Sequence, residues 1–156
     1  MKKFYLVIIY GIIVVGFINA QNDVTIIGNW ISNENPVQEY RFNNNGNFET
    51  FYDGKHSMKG TFIARTGGGR NSREGSLRFN TTHVYGSAID ESFEQRWYSM
   101  EELIQILGIT EQNEITEFYR EFNIQLWYLI DGNTLTTYNT QQSLYVTITT
   151  IFKKSN

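Results

Sequence analysis

Few residues of this chain have the types and spacing that acid–base catalysis requires. Asp90, Glu91 and Glu94 are close in sequence, and paired carboxylates carry out general acid–base chemistry, as in glycoside hydrolysis. These three lie in a polar segment beside Arg96. We therefore interpret them as a solvated acidic patch, and we predict that the chain is not an enzyme.

Nucleophilic and metal chemistry have still fewer candidates. The chain has no cysteine, and its two histidines, His56 and His83, are far apart in sequence. A thiol nucleophile and a cysteine-ligated metal are therefore excluded, and a histidine metal site is not expected. The glycine-rich segment 66–72 matches neither phosphate-binding fingerprint, and the chain has no Gly-x-Ser-x-Gly motif. The sequence thus predicts no cofactor and no metal site.

The first twenty residues have the pattern of a secretory signal peptide. Lys2 and Lys3 give a positive start, the segment 4–18 is almost wholly apolar, and the small residue Ala20 precedes a polar run. The apolar segment is shorter than the ~20 residues that a bilayer-spanning helix needs. We predict residues 1–20 to be a leader cleaved after Ala20, with an uncleaved membrane anchor as the alternative. The mature protein is then secreted or periplasmic.

The remaining residues, 21–156, are expected to form one domain, because their number suits a single core. Aromatic residues make up 15% of the chain and charged residues 19%, which favours a folded β protein. Removing the two leader lysines would take the formal net charge from −3 to −5. Nucleic acid is therefore not an expected partner, since its phosphates require a basic surface. Membrane contact is expected only through an uncleaved leader, and the sequence does not identify a protein partner.

Turn signals divide the domain into eight predicted strands. Asn43-Asn44-Asn45-Gly46 and Asp131-Gly132-Asn133 are typical of hairpins, because Asn and Gly tolerate positive φ. The segments between the turns alternate apolar and polar residues, as half-buried strands do. The predicted strands are 24–32, 38–42, 47–52, 56–65, 75–85, 123–130, 134–139 and 143–153.

Two helices are predicted between the fifth and sixth strands. Ser99 and Glu102 have the spacing of a capping box, and Gly108 ends the first helix, which we place at 100–107. Thr110 can cap a second helix at 111–121, in which apolar residues recur at helical spacing. We expect this apolar stripe to pack on the sheet, and a separate partner site is the alternative.

Four stretches, taken together and in order, resemble the bacterial lipocalin-like (calycin) family. They are 27–30, which contains Gly28-Asn29-Trp30, and 58–62, 127–135 and 150–153. The resemblance implies an all-β fold, an eight-stranded antiparallel up-and-down barrel, here with a two-helix insertion. It also implies that Gly28 and Trp30 close the barrel and that a basic side chain of the last strand covers the indole. Lys153 or Lys154 suits this part, and we assign it to Lys153.

The lipocalin resemblance further implies that a small, largely apolar molecule binds inside the barrel. Alternation points one set of side chains inward, and His83 shares the face of Phe79, where it could meet a ligand head group. The alternative is a barrel filled by its own side chains that acts through its surface, as an inhibitor or an envelope-associated protein. The inward set is Tyr40, Phe42, Phe48, Tyr52, Met58, Phe62, Leu77, Phe79, Leu126, Tyr128, Val146 and Ile148. The predicted ligand site is Tyr40, Phe42, Phe48, Tyr52, Met58, Phe62, Phe79, His83, Leu126 and Tyr128.

Overall fold

A computed structural model of the protein describes residues 24–67, 74–141 and 146–155. The predicted signal peptide 1–20 lies outside the described residues, as does part of the glycine-rich segment. A short 3-10 helix, Val24–Ile26, precedes nine strands and three helices. The strands are β1 (Gly28–Ser32), β2 (Gln38–Phe42), β3 (Asn47–Tyr52), β4 (Lys55–Thr66), β5 (Glu74–Tyr85), β6 (Trp97–Ser99), β7 (Gln125–Asp131), β8 (Thr134–Gln141) and β9 (Val146–Ser155). The helices are α1 (Gly86–Ile89), α2 (Met100–Ile106) and α3 (Gln112–Phe122).

Eight of the strands form a closed antiparallel barrel. Their order is β4-β3-β2-β1-β9-β8-β7-β5, and pairing of β4 with β5 closes the ring. Apart from the helical insertion, each strand pairs with the next one along the chain, so the barrel is up-and-down as predicted. Closure leaves no open edge among these eight strands. The ninth strand, β6, was not predicted and pairs with the end of β5.

The helical insertion lies between β5 and β7, the fifth and sixth barrel strands. Ser99 caps α2, because its Oγ accepts a hydrogen bond of 3.1 Å from the backbone N–H of Glu102. Gly108, with φ of +67°, follows the end of this helix. The predicted cap at Thr110 is wrong, since α3 begins after Glu111 and has no side-chain cap. The short helix α1 was not predicted.

The apolar faces of the helices pack on one end of the barrel. Met100 and Leu103 of α2 are buried against Val84 and Tyr98. Side chains of α3, among them Phe118, pack against the same cluster. The predicted apolar stripe therefore contributes to a second core. Within the described ranges, no helix has the length and apolar character needed to cross a bilayer.

Trp30 plugs the barrel at the end where the chain enters it. Its side chain is fully buried, and its Nε1 donates a hydrogen bond of 2.7 Å to the carbonyl oxygen of Ile26. The predicted first strand at 24–32 is therefore too long, because residues 24–26 form the 3-10 helix that supplies this acceptor. Gly28 has φ of +136°, and a Cβ at this position would lie 2.7 Å from Cε of Lys154.

The basic side chain over the indole is Lys154, and the assignment of Lys153 is wrong. The Nζ of Lys154 lies 5.3 Å from the centroid of the Trp30 ring. Lys153 instead donates from Nζ to Oγ1 of Thr134 at 2.7 Å. Neighbouring residues of a strand point to opposite faces, so only one of the two lysines can reach the indole.

Candidate functional site

Rings of the predicted internal ligand site pack against one another in the core of the barrel. Phe42, Phe48, Phe62, Phe79 and Tyr128 are all buried in the main core. Several ring centroids lie within 5 Å of one another, the spacing of well-packed aromatic pairs. The closest pairs are Phe48 with Phe79 at 4.7 Å, Tyr40 with Phe152 at 4.7 Å, and Phe42 with Phe62 at 4.8 Å. These rings thus form an interlocked core.

Tyr40 is a polar member of this ring cluster. Its ring contacts Phe42, Phe79 and Phe152. Burial raises the pKa of its phenol to about 12, and the negative charge of Glu34 adds to the shift. Tyr40 is therefore neutral at physiological pH and packs as an aromatic residue.

The rest of the predicted inward set is in part confirmed. Leu77 is fully buried, and Met58 and Leu126 are partly buried against the core. The side chains of Val146 and Ile148 lie outside the described part of the chain.

Tyr52 does not face the interior, so its assignment is wrong. The residue ends β3 and is 51% exposed. It lies at the hairpin tip, where the strand has passed the packed rings, and it lines an open cleft together with His56 and Ser87. The alternation of apolar and polar residues predicts which face of a strand a side chain is on. It does not predict where along the strand the core ends.

His83 also fails to face the interior, for a different reason. The pairing of β4 with β5 matches Lys59 to His83 and Gly60 to Thr81, so Thr82 is an extra residue in a bulge. A bulge shifts the alternation of the strand by one residue. Thr81, which precedes the bulge, is buried on the face of Phe79. After the bulge, His83 lies on the outer wall and Val84 is buried.

The outer wall that carries His83 has a row of polar side chains in strand register. Backbone pairing places Asn29 opposite Arg41, Arg41 opposite Glu49, and Glu49 opposite Lys59. Lys59 is in turn opposite His83. The row crosses five strands at a right angle to their direction. We call these five residues the polar row.

A groove of about 620 Å³ follows the polar row. All five residues of the row line it, and Trp97 of β6 lies at the end near His83. The other side chains are mainly amides and hydroxyls, which both donate and accept hydrogen bonds. These polar residues are Asn43, Asn47, Thr61 and Thr82, and Phe42 and Phe48 also line the groove.

The charges of the groove have distinct partners. Arg41 forms an ion pair with Glu39, which raises the pKa of the guanidinium, and its Cζ lies 4.0 Å from the Phe51 ring centroid. The Oε1 atom of Glu49 lies 2.7 Å from Nδ1 of His56. The Nζ of Lys59 lies 4.4 Å from the Trp97 ring centroid.

Lys59 is the groove cation that remains available to a ligand. Among the ion pairs of the described residues, none involves its ammonium group. The side chain is half-buried, and its contact with Trp97 fixes the position of the charge.

Gly60 permits the local backbone geometry of this groove. A Cβ at this position would collide with the carbonyl oxygen of Asn80 and lie 2.9 Å from the amide nitrogen of Thr82. The two strands therefore approach most closely beside the bulge. The sequence prediction missed the groove, and the available signal was a glycine inside a strand, which indicates a bulge or a close approach of backbones.

The acidic patch of the helical insertion is exposed, as predicted. Asp90 accepts a hydrogen bond of 2.8 Å from the backbone N–H of Ser92, and hydrogen bonds from Ser92 lower the pKa of this carboxyl. Glu94 forms an ion pair of 3.2 Å with Arg96, and Arg96 forms another of 2.6 Å with Glu102. The ion pairs of Arg96 join the loop before β6 to helix α2. The contacts of these acids are therefore explained by their part in the fold.

The described residues contain no group of three His, Asp or Glu side chains placed to hold a metal ion. Comparisons of the chain with protein-family models, curated proteins and solved structures found no match.

Proposed function

We propose that this protein is a secreted or periplasmic binding protein that acts through the outer wall of its barrel. The observation that carries the proposal is the interlocked set of rings in the interior. Lipocalin-like barrels of eight strands either fill themselves with side chains or hold one small ligand. The packing of this chain favours the filled alternative.

A carrier function would require the core to open. Pockets for small molecules measure ~300–1,000 Å³. Phe79 contacts the rings of Tyr40, Phe42 and Phe48 at centroid distances of 5.8, 6.0 and 4.7 Å. A fatty acid could enter only by displacing such rings, and removing one buried Phe from a core costs ~3–5 kcal/mol.

Retention of an apolar ligand tests this proposal. Native mass spectrometry of the purified mature protein is expected to show no added mass, and a fluorescent fatty acid is expected to give no saturable binding. Retained lipid or saturable displacement would instead support the lipocalin-like carrier function, and the surface-binding proposal would fail.

Phe79→Ala provides the positive control for this experiment. The substitution removes a ring that is 4% exposed from the centre of the cluster. Apolar cavities made in this way stay dry and bind benzene-sized molecules. The variant is therefore expected to bind a small aromatic probe that the unmodified protein does not bind.

A further inference from the structure

We propose that the groove along the polar row binds an acidic oligosaccharide. This inference rests on the proposed function, because it names the ligand class that the outer wall would take. It depends on the shape of the groove, on its hydrogen-bonding groups and on the position of one cation.

The length of the polar row suits an extended chain. Its five residues, from Asn29 to His83, occupy neighbouring strands. At ~4.8 Å between strands, the row spans about 19 Å. Because the row from β1 to β5 spans half of the closed ring, this length is an arc around the outer wall. An oligosaccharide that curves with the wall can contact it with several sugar units, whereas a monosaccharide would leave most of it empty.

The neutral groups of the groove match sugar hydroxyls. The amides of Asn29, Asn43 and Asn47 and the hydroxyls of Thr61 and Thr82 line it. Each of these groups can both donate and accept a hydrogen bond, as a sugar hydroxyl does. A lipid tail would cover these polar groups and remove their water without offering them hydrogen bonds, which opposes binding.

A peptide fits the same wall less well. Extended peptides bind sheets by adding a strand at an exposed edge. Beneath the groove, β1 to β4 each pair with barrel strands on both sides. Their backbone groups are therefore already used by the barrel, and recognition has to come from side chains.

Lys59 and Trp97 favour a carboxylated sugar over a neutral one. The ammonium of Lys59 is fixed 4.4 Å from the indole centroid and has no carboxylate among its described ion-pair partners. Glu49, the acid of the row, is held by His56. A ligand carboxylate can therefore bind at Lys59 through a charge-assisted hydrogen bond.

Isothermal titration calorimetry with tetragalacturonate tests the proposal on the mature protein. We expect saturable binding to the unmodified protein. Lys59→Met keeps an apolar side chain over the indole and removes the charge, and it is expected to weaken binding about tenfold or more, as for loss of a charge-assisted contact. Lys55→Met removes the same charge from the neighbouring hairpin cleft and is expected to change affinity less than twofold.

Further ligands separate the possible outcomes. Cellotetraose, which is neutral, is expected to bind at least tenfold more weakly than tetragalacturonate. Equal binding of the two sugars, or equal loss in Lys59→Met and Lys55→Met, would overturn the assignment of the carboxylate to Lys59. No binding of tetragalacturonate would overturn the groove proposal while leaving the surface-binding function in place, whereas retained lipid in the mass spectrum would overturn that function itself.

Discussion

Replacing Trp30 with alanine is the most direct test of how the barrel is closed. The indole is fully buried and donates a hydrogen bond to Ile26. An aromatic side chain buries ~150–250 Å², and ~25 cal/mol for each Å² gives about 4–6 kcal/mol. Measured losses for Trp→Ala in cores are ~3–5 kcal/mol. We expect Trp30→Ala to lower the free energy of unfolding by about 4 kcal/mol, a large share of the ~5–15 kcal/mol of an ordinary domain.

Urea unfolding followed by far-ultraviolet circular dichroism measures this loss without depending on the fluorescence of the indole that is removed. Trp30→Phe retains an aromatic ring but removes the N–H donor and part of the buried volume, so its loss combines about 1–3 kcal/mol for the unpaired hydrogen-bond partner with the cost of a smaller ring. Trp127→Ala is the matched control. Trp127 is half-buried and precedes the buried Tyr128 in β7, so its side chain lies on the opposite face of the strand. It should cost less than half as much as Trp30→Ala.

If Trp30→Ala lowered the free energy of unfolding by less than about 1 kcal/mol, the assignment of Trp30 as the barrel plug would be contradicted, since deleting a fully buried indole costs more than this. Equal losses in the two alanine variants would contradict it as well.

Three further perturbations address the bulge, the closing lysine and the helical insertion. Gly60→Ala should lower the free energy of unfolding by about 2 kcal/mol or more in urea melts, because the added methyl group meets backbone atoms of β5. Lys154→Met should cost about 0.5–1 kcal/mol through the lost cation–π contact, and Lys153→Met should cost less. Arg96 lowers the pKa of the Glu102 carboxyl by hydrogen bonding. The ion pair therefore stabilises the fold above the ordinary glutamate pKa of ~4.3 and is lost as the pH falls through the lowered value. In the Arg96→Gln variant, the melting temperature should accordingly fall less steeply as the pH is lowered.

Each of these expectations has a contrary outcome. A Gly60→Ala variant as stable as the unmodified protein would mean that β4 and β5 do not approach closely at the bulge. A greater loss in Lys153→Met than in Lys154→Met would restore the assignment made from the sequence. Parallel acid profiles of the melting temperature with and without Arg96 would mean that Glu102 does not depend on that partner.

Strand alternation and turn chemistry were sufficient to predict the barrel. Gly28 and Trp30, the hairpin turns and the cap at Ser99 are local signals, and each indicates the structure that is found. The eight barrel strands were predicted because their inward faces carry an apolar side chain at every second position.

The candidate site was harder to predict because it depends on departures from that alternation. His83 was placed inside by counting along β5, and the extra residue Thr82 moved it to the outer wall. Whether a bulge occurs, and at which residue, depends on pairing with another strand. The polar row depends on register across five strands in the same way, so no segment of the sequence contains it.

The pairing of the first strand with the last has a consequence for how the chain folds. Trp30 lies opposite Lys154 in the pairing of β1 with β9. Contacts between residues so distant in sequence form late, because loop closure must precede them. While the chain is being synthesised, β1 can pair with β2, but its second partner is missing until β9 has emerged, so the growing protein holds an open sheet. Barrel closure therefore has to follow synthesis of β9.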